Sequence, residues 1–109
     1  MRRARVFFRK QEAGLLAQLD DGSFTFSYHP AWVHDSGKPP ISLTLPKKDD
    51  EYRSGYLFPF FFNLLPEGGN LQTVCRANRI DEDDLFGILL ATAGSDPIGA
   101  VRVVGEVAV

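Results

Sequence analysis

The sequence predicts an α+β domain, with helices packed on one side of a small antiparallel sheet. Three observations predict it. Apolar and polar residues alternate with period two through the first half of the chain, a period near 3.6 takes over after residue 56, and alternation returns near the C-terminus. Strands, then helices, then a strand satisfy this class, whereas a parallel sheet would need the two to alternate. The expected architecture is about five strands, a meander plus a closing strand, with about three short helices.

The elements follow in order. Arg5 to Arg9 is β-branched and aromatic and predicts a strand, with Lys10 to Gly14 as a polar turn. Leu15 to Leu19 predicts a second strand, with Leu15, Ala17 and Leu19 on one face. Asp20-Asp21-Gly22 is a hairpin signal, because Asp and Gly tolerate positive φ. The clearest alternation comes next: Phe24, Phe26 and Tyr28 share one face, and Ser23, Thr25 and Ser27 the other. A short helical turn is expected around Ala31-Trp32-Val33. After Pro39-Pro40, the alternation of Ile41, Leu43 and Leu45 with Ser42 and Thr44 predicts a fourth strand, stopped by Pro46. Lys47 to Gly55 is polar and predicts a solvated loop.

Leu57 to Leu65 predicts a short helix with Pro59 in its first turn, ended by Pro66-Glu67-Gly68-Gly69. Asn70 is an N-cap candidate for a helix over Leu71 to Arg79, whose apolar stripe would be Leu71, Val74, Cys75 and Asn78. Asp81 to Asp84 place four acids at the start of another helix, where the helix dipole favours them. Its buried face would be Leu85, Ile88 and Leu89. Gly94 to Asp96 reads as a loop and Ile98 to Val104 as the closing strand.

Length and charge exclude several functions. At 109 residues the chain is one domain, expected over residues 5–105 with a tail at 106–109. A complete kinase, dinucleotide-binding enzyme or barrel enzyme needs roughly 200 residues or more. Twelve basic residues against fourteen acidic ones predict no direct binding to nucleic acid. The basic residues Arg2, Arg3, Arg5, Arg9 and Lys10 alternate with apolar ones, which predicts a strand with a solvated basic face. One cysteine, no N-terminal apolar stretch and no apolar run of membrane-spanning length predict a cytoplasmic protein away from membranes.

The residue types of a catalytic site do not assemble. His29 and His34 flank no nucleophile in a recognised elbow and read as surface or turn residues. Asp81, Glu82, Asp83 and Asp84 lack the alternating ligands and central glycine of a calcium loop. Cys75, on an apolar stripe, reads as a small buried hydrophobe. Hence no enzyme activity, metal or cofactor is expected.

One segment resists this plain account. Between Leu57 and Leu65 every residue except Asn63 is apolar or proline. As a helix it would carry Phe58, Phe61, Phe62 and Leu65 on one face, and Leu57, Phe60 and Leu64 over most of the rest. Such a helix is either buried on all sides or buries its second face against a partner.

The same residues carry a resemblance. Phe61-Phe62-Asn63-Leu64-Leu65-Pro66-Glu67-Gly68 is similar to the F-F-x-N-L-L-P-[DE] motif of HipA-type serine/threonine kinases. Gly22 to Tyr28 resembles their G-x-x-x-F-x-Y strand, and Pro40-Ile41-Ser42-Leu43-Thr44-Leu45-Pro46 their P-[LIV]-S-[LM]-[ST]-[LM]-P segment. Asp84-Leu85-Phe86-Gly87-Ile88-Leu89 and Gly99-Ala100-Val101 are similar to the helix and strand that close the region. The resemblance runs from about Val6 to Val104 and is confined to the N-terminal subdomain of that family, without its phosphate loop or catalytic aspartate.

The family includes free-standing copies of this subdomain, HipS, in three-part HipBST toxin–antitoxin systems. The resemblance therefore implies an antitoxin that binds and inhibits a HipT-like serine/threonine kinase, in a ternary complex with a HipB-like helix-turn-helix protein. Kinases of the HipT type phosphorylate tryptophanyl-tRNA synthetase, so inhibition would protect translation. The implied partner-binding residues are Phe58, Phe61, Phe62, Glu67, Gly69, Asn70 and Leu71. Many relatives carry a bulky residue, often tryptophan, where this chain has Gly69. Leu71 or Phe62, or an interface spread over the sheet, would then supply the bulk. The alternatives are a detached subdomain that supports a HipA-like kinase and a generic protein-interaction module.

Overall fold

A computed structural model describes residues 1–93 and 100–106. Among them, five strands form one antiparallel sheet: β1 (Arg2–Phe8), β2 (Gln11–Gln18), β3 (Phe24–Tyr28), β4 (Tyr52–Ser54) and β5 (Val101–Gly105). The helices are α1 (Pro30–Val33), α2 (Pro59–Phe62), α3 (Gly68–Asn78) and α4 (Leu85–Thr92). The strand order is β4-β3-β2-β1-β5, so the expected meander forms the centre and β5 closes on β1. The expected loop at Gly94 to Asp96, the strand start at Ile98, Gly99 and the tail from Val107 lie outside the described residues.

The β1–β2 turn is tighter than the sequence predicts. It is confined to Arg9 and Lys10, with Arg9 at φ 59°, and Gln11 to Gly14 are already strand. Register slips between Val6 and Phe7, because Val6 pairs with Gly14 while Phe7 pairs with Glu12. Ala13 is the extra residue of this bulge and is fully buried. Leu15 and Ala17 share one face of the second strand, as expected, and it is the face away from the core. Leu16 pairs with Ala4 and Phe26, so it shares the core face, while Leu15 points to the other side. With apolar residues at 15, 16 and 17 the alternation is ambiguous, and the pairing with β3 decides it.

At the β2–β3 hairpin Gly22 takes φ 89° and the Asp21 carboxylate accepts the Ser23 N–H at 2.9 Å, as its residue types predict. Phe24, Phe26 and Tyr28 all face the core, each at most 5% exposed. The opposite sheet face carries Arg3, Arg5 and Arg53, solvated and each near a glutamate. Gly14 is held to glycine by close approach, since a Cβ there would lie 2.2 Å from the Ser27 carbonyl oxygen.

Two elements differ in kind from the expectation. Ile41 to Leu45 is a turn with one isolated bridge, Ser42 to Leu45, and Leu43 at its tip is 95% exposed. Ile41 and Leu45 both turn inward, where the Tyr28 hydroxyl accepts the Ile41 N–H at 3.0 Å and donates to the Leu45 carbonyl. The fourth strand lies instead in the polar stretch, where Tyr52 pairs with Phe26 at the sheet edge. Its hydroxyl donates to the Pro46 carbonyl at 2.6 Å and its ring meets Phe58 edge-on. One aromatic residue in an otherwise polar segment leaves no periodicity to detect.

The helices cover the core face. Phe61 of α2 meets Phe26 at 5.6 Å between ring centroids, and Phe86 of α4 meets Phe24 at 6.4 Å. α4 buries Phe86, Ile88 and Leu89, while Leu85 stays partly exposed. Asp84 is its N-cap, accepting the Gly87 N–H at 3.1 Å; Asp81 to Asp83 form the turn before it. α3 begins at Gly68, a turn earlier than Asn70 would place it, with Glu67 as an N-cap that makes no side-chain cap bond. Its expected stripe narrows: Cys75 is buried, Leu71 and Val74 are half-buried and Asn78 is exposed. Arg79 ends it in the left-handed conformation, and Ile80 N–H reaches the Cys75 carbonyl at 2.9 Å. No helix among the described residues is long and apolar enough to cross a membrane.

Candidate functional site

The phenylalanine run folds into a single helical turn. Pro59 sits at the first position of α2, where its missing N–H costs nothing, and Asn63 ends the turn after Phe62. Leu64 and Leu65 continue as tight turns towards Pro66 rather than as helix. The apolar-all-round helix over Leu57 to Leu65 is thus corrected to one turn between two bends, and that shape separates its phenylalanines.

Phe58 and Phe61 are interior, 7% and 0% exposed, and meet each other and Phe26 or Tyr52 through their rings. Both belong to the core, so they hold the segment in place rather than face a partner. Phe62 is 52% exposed. Its side chain stands between two clefts. One, of about 300 Å3, is lined by Phe24, Tyr56, Leu57 and Leu85 among others. The second, of about 320 Å3, runs over Leu65, Pro66, Gly68, Leu71 and Leu85. Leu85 lines both clefts, so Phe62 and Leu85 form the ridge of one apolar surface.

The remaining expected residues lie around that ridge. Glu67, Gly69 and Asn70 are exposed at the start of α3, and Leu71 is half-buried at the cleft wall. Glu67 lines the second cleft and Asp83 the first, which gives the apolar surface an acidic rim. Sequence reasoning missed Tyr56, which is 84% exposed beside Phe62, and Leu85, which it placed in the core. Tyr56 follows Gly55 in a turn and carries no periodic signal. Leu85 is displaced outward because Phe86, the next residue, takes the interior position.

His29, His34 and Cys75 line neither cleft. His29 contacts the Glu12 carboxylate, and His34 lies 3.0 Å from that of Asp49. Burial, with the nearby carboxylates of Glu82 and Asp81, pushes the Cys75 thiol above its usual range, the direction opposite to a reactive thiolate. Among the described residues no group of three or more His, Cys, Asp or Glu side chains converges as metal ligands would.

Comparison with known proteins is consistent along nearly the whole chain. A family model described as the HipA N-terminal domain matches residues 4–104. An uncharacterized protein of Haemophilus influenzae is 37% identical over 106 residues, covering 97% of this chain and 94% of that protein. A putative kinase of Sinorhizobium fredii, Y4mE, is 30% identical over 101 residues, which cover 93% of this chain but only 24% of the kinase. Among solved structures, the N-terminal domain of HipA toxin superposes with a TM-score of 0.71 at 34% identity, covering 97% of this chain and 93% of that one.

Proposed function

The chain belongs to the family of HipA N-terminal domains, and from that premise we propose that it is a HipS-like antitoxin that binds and inhibits a HipT-like serine/threonine kinase. It acts by contact, without chemistry of its own, beside a HipB-like helix-turn-helix protein in a three-part complex in the cytoplasm. The observation that carries this reading is the half-exposed Phe62 on an apolar surface rimmed by Glu67 and Asp83. Large aromatic residues in partly apolar clefts are the usual anchors of protein interfaces. An acidic rim suits a basic cleft such as one that binds nucleotide phosphates. Phe62, Glu67, Gly69, Asn70 and Leu71 are the proposed contacts, and Gly69 leaves Phe62 and Leu71 to supply the bulk.

The test is co-expression with a HipT-like kinase from the same genome. The antitoxin reading expects the chain to relieve kinase-dependent growth arrest and to co-purify with the kinase. Binding without relief of arrest would favour a second reading, in which the domain supports a split HipA-like kinase. The match to a quarter of a putative kinase favours that alternative. Failure to bind would leave only a generic interaction module.

A further inference from the structure

A separate cleft of about 450 Å3 lies at the other end of β1, between the β1–β2 turn and the loop after α1. Its walls include Phe8 and Trp32, which meet edge-to-face with ring centroids 5.8 Å apart. Three cations line it: Arg9, Lys10 and Lys38. The Arg9 guanidinium lies 5.5 Å from the Phe8 ring centroid and the Lys38 ammonium 5.1 Å from that of Trp32. Among the described residues no carboxylate lines the cleft. Among the described residues none of the three cations pairs with a carboxylate, in contrast to Arg2, Arg3, Arg5 and Arg53.

The walls are held from outside the cleft. Trp32 Nε1 donates to the Pro39 carbonyl at 2.9 Å, and the Lys47 ammonium donates to the carbonyls of Asp35 and Lys38 at 2.9 and 2.7 Å. Arg9 is fixed in the left-handed region by the tight turn. Preformed, partly apolar clefts of about 300–1,000 Å3 with a few convergent polar groups are typical small-molecule sites. The volume exceeds what a lone inorganic anion fills. Three cations without a carboxylate partner among the described residues favour a dianion, and guanidinium and ammonium groups are the usual ligands of phosphate oxygens.

We infer that this cleft binds an organic phosphate, its phosphoryl group against Arg9, Lys10 and Lys38 and a flat apolar body along Phe8. The site is remote from Phe62 and does not depend on the kinase. Trp32 is the only tryptophan in the chain, so its fluorescence reports the cleft directly. The experiment titrates the purified chain with phenyl phosphate, inorganic phosphate and phenol.

The expected result is a saturable change with phenyl phosphate at a Kd at least tenfold below that for either of the others. Arg9→Ala with Lys38→Ala should weaken it at least tenfold, and Lys10→Ala, at an exposed position, by a smaller factor without altering the melting curve. Phe62→Ser should leave it unchanged. No saturation, equal binding of phenol, or unchanged affinity in a folded double variant would each overturn the proposal. Should the double variant not fold, the Lys10→Ala result decides: an unchanged Kd overturns it.

Discussion

Phe61 and Phe62 are adjacent in the chain and opposite in environment: the first is fully buried against Phe26, and the second is half exposed between two clefts. One turn of helix produces this, because neighbouring residues on it point about a hundred degrees apart. The pair therefore separates a core position from a proposed contact. Phe61→Ala should cost about 3–5 kcal/mol, the usual range for emptying a buried phenylalanine site. A urea melt of the isolated chain measures it.

Phe62→Ser should leave that melt within about 0.5 kcal/mol of wild type, as for surface positions generally. Its effect should appear in kinase binding, weakened by about 2 kcal/mol or more, or roughly thirtyfold in Kd. Calorimetric titration against the cognate kinase checks this. Equal affinity of wild type and variant would remove Phe62 from the interface.

Tyr28 clamps the turn at Ile41 and Leu45, and losing its hydroxyl strands a buried N–H and a carbonyl. Tyr28→Phe should destabilise the domain by about 1–3 kcal/mol. The phenol also titrates late, because burial pushes its pKa up to about 12 from 10.0. A raised folded pKa favours the neutral form, so this contribution is complete below pH 10 and is lost as pH rises from 10 towards 12. Chemical melts across that window should fall more steeply for wild type than for Tyr28→Phe.

Asp84 joins the ends of the fold. It caps α4 through Gly87 N–H and receives both guanidinium nitrogens of Arg2, at 3.1 and 2.6 Å. The hydrogen bond from Arg2 lowers its pKa below 3.8, with the Gly87 N–H and the charge of Arg2 adding to the effect. A lowered folded pKa means stability present above pH 3.8 and lost as pH falls through the folded value. Asp84→Ala should cost about 0.5–2 kcal/mol at neutral pH, mainly through the cap. Thermal melts at pH 7 and pH 3 should show the difference between wild type and variant shrinking in acid.

Gly14→Ala should be among the most damaging small changes, at about 3 kcal/mol or more, because the new methyl group meets backbone rather than a movable side chain. Failure of the variant to show protected amides in β2 and β3 by hydrogen exchange would be the expected signature. Wild-type protection would show that the strands can part locally at little cost.

The sequence was readable wherever the information is local. Phe24, Phe26 and Tyr28 alternate without competition, Asp20-Asp21-Gly22 supplies its own turn geometry, and the F-F-N-L-L-P-E-G run carries the family. It was misleading at Ile41 to Leu45, whose alternation imitates a strand although its carbonyls and N–H groups are taken by Tyr28 and by a turn. It was silent at Tyr52, where strand pairing depends on Phe26, twenty-six residues earlier. Within the candidate site, Phe62 and the Glu67 to Leu71 segment were named from the sequence, and the structure places them at or beside one cleft. That Phe58 and Phe61 lie inside, and that Tyr56 and Leu85 join the surface, were not legible.

By itself, then, the sequence determined the α+β class, the central meander, the apolar segment and the family of this 109-residue chain. Periodicity, turn chemistry and motif spacing all act over a few residues, and they survive without knowledge of the packing. Only the tertiary structure decided which phenylalanines of the run face inward and which strand covers the β3 edge. It alone set Arg9, Lys10 and Lys38 around the Phe8 and Trp32 rings. Those outcomes depend on register and on side-chain volume competing for one interior, and such competition is settled between distant segments.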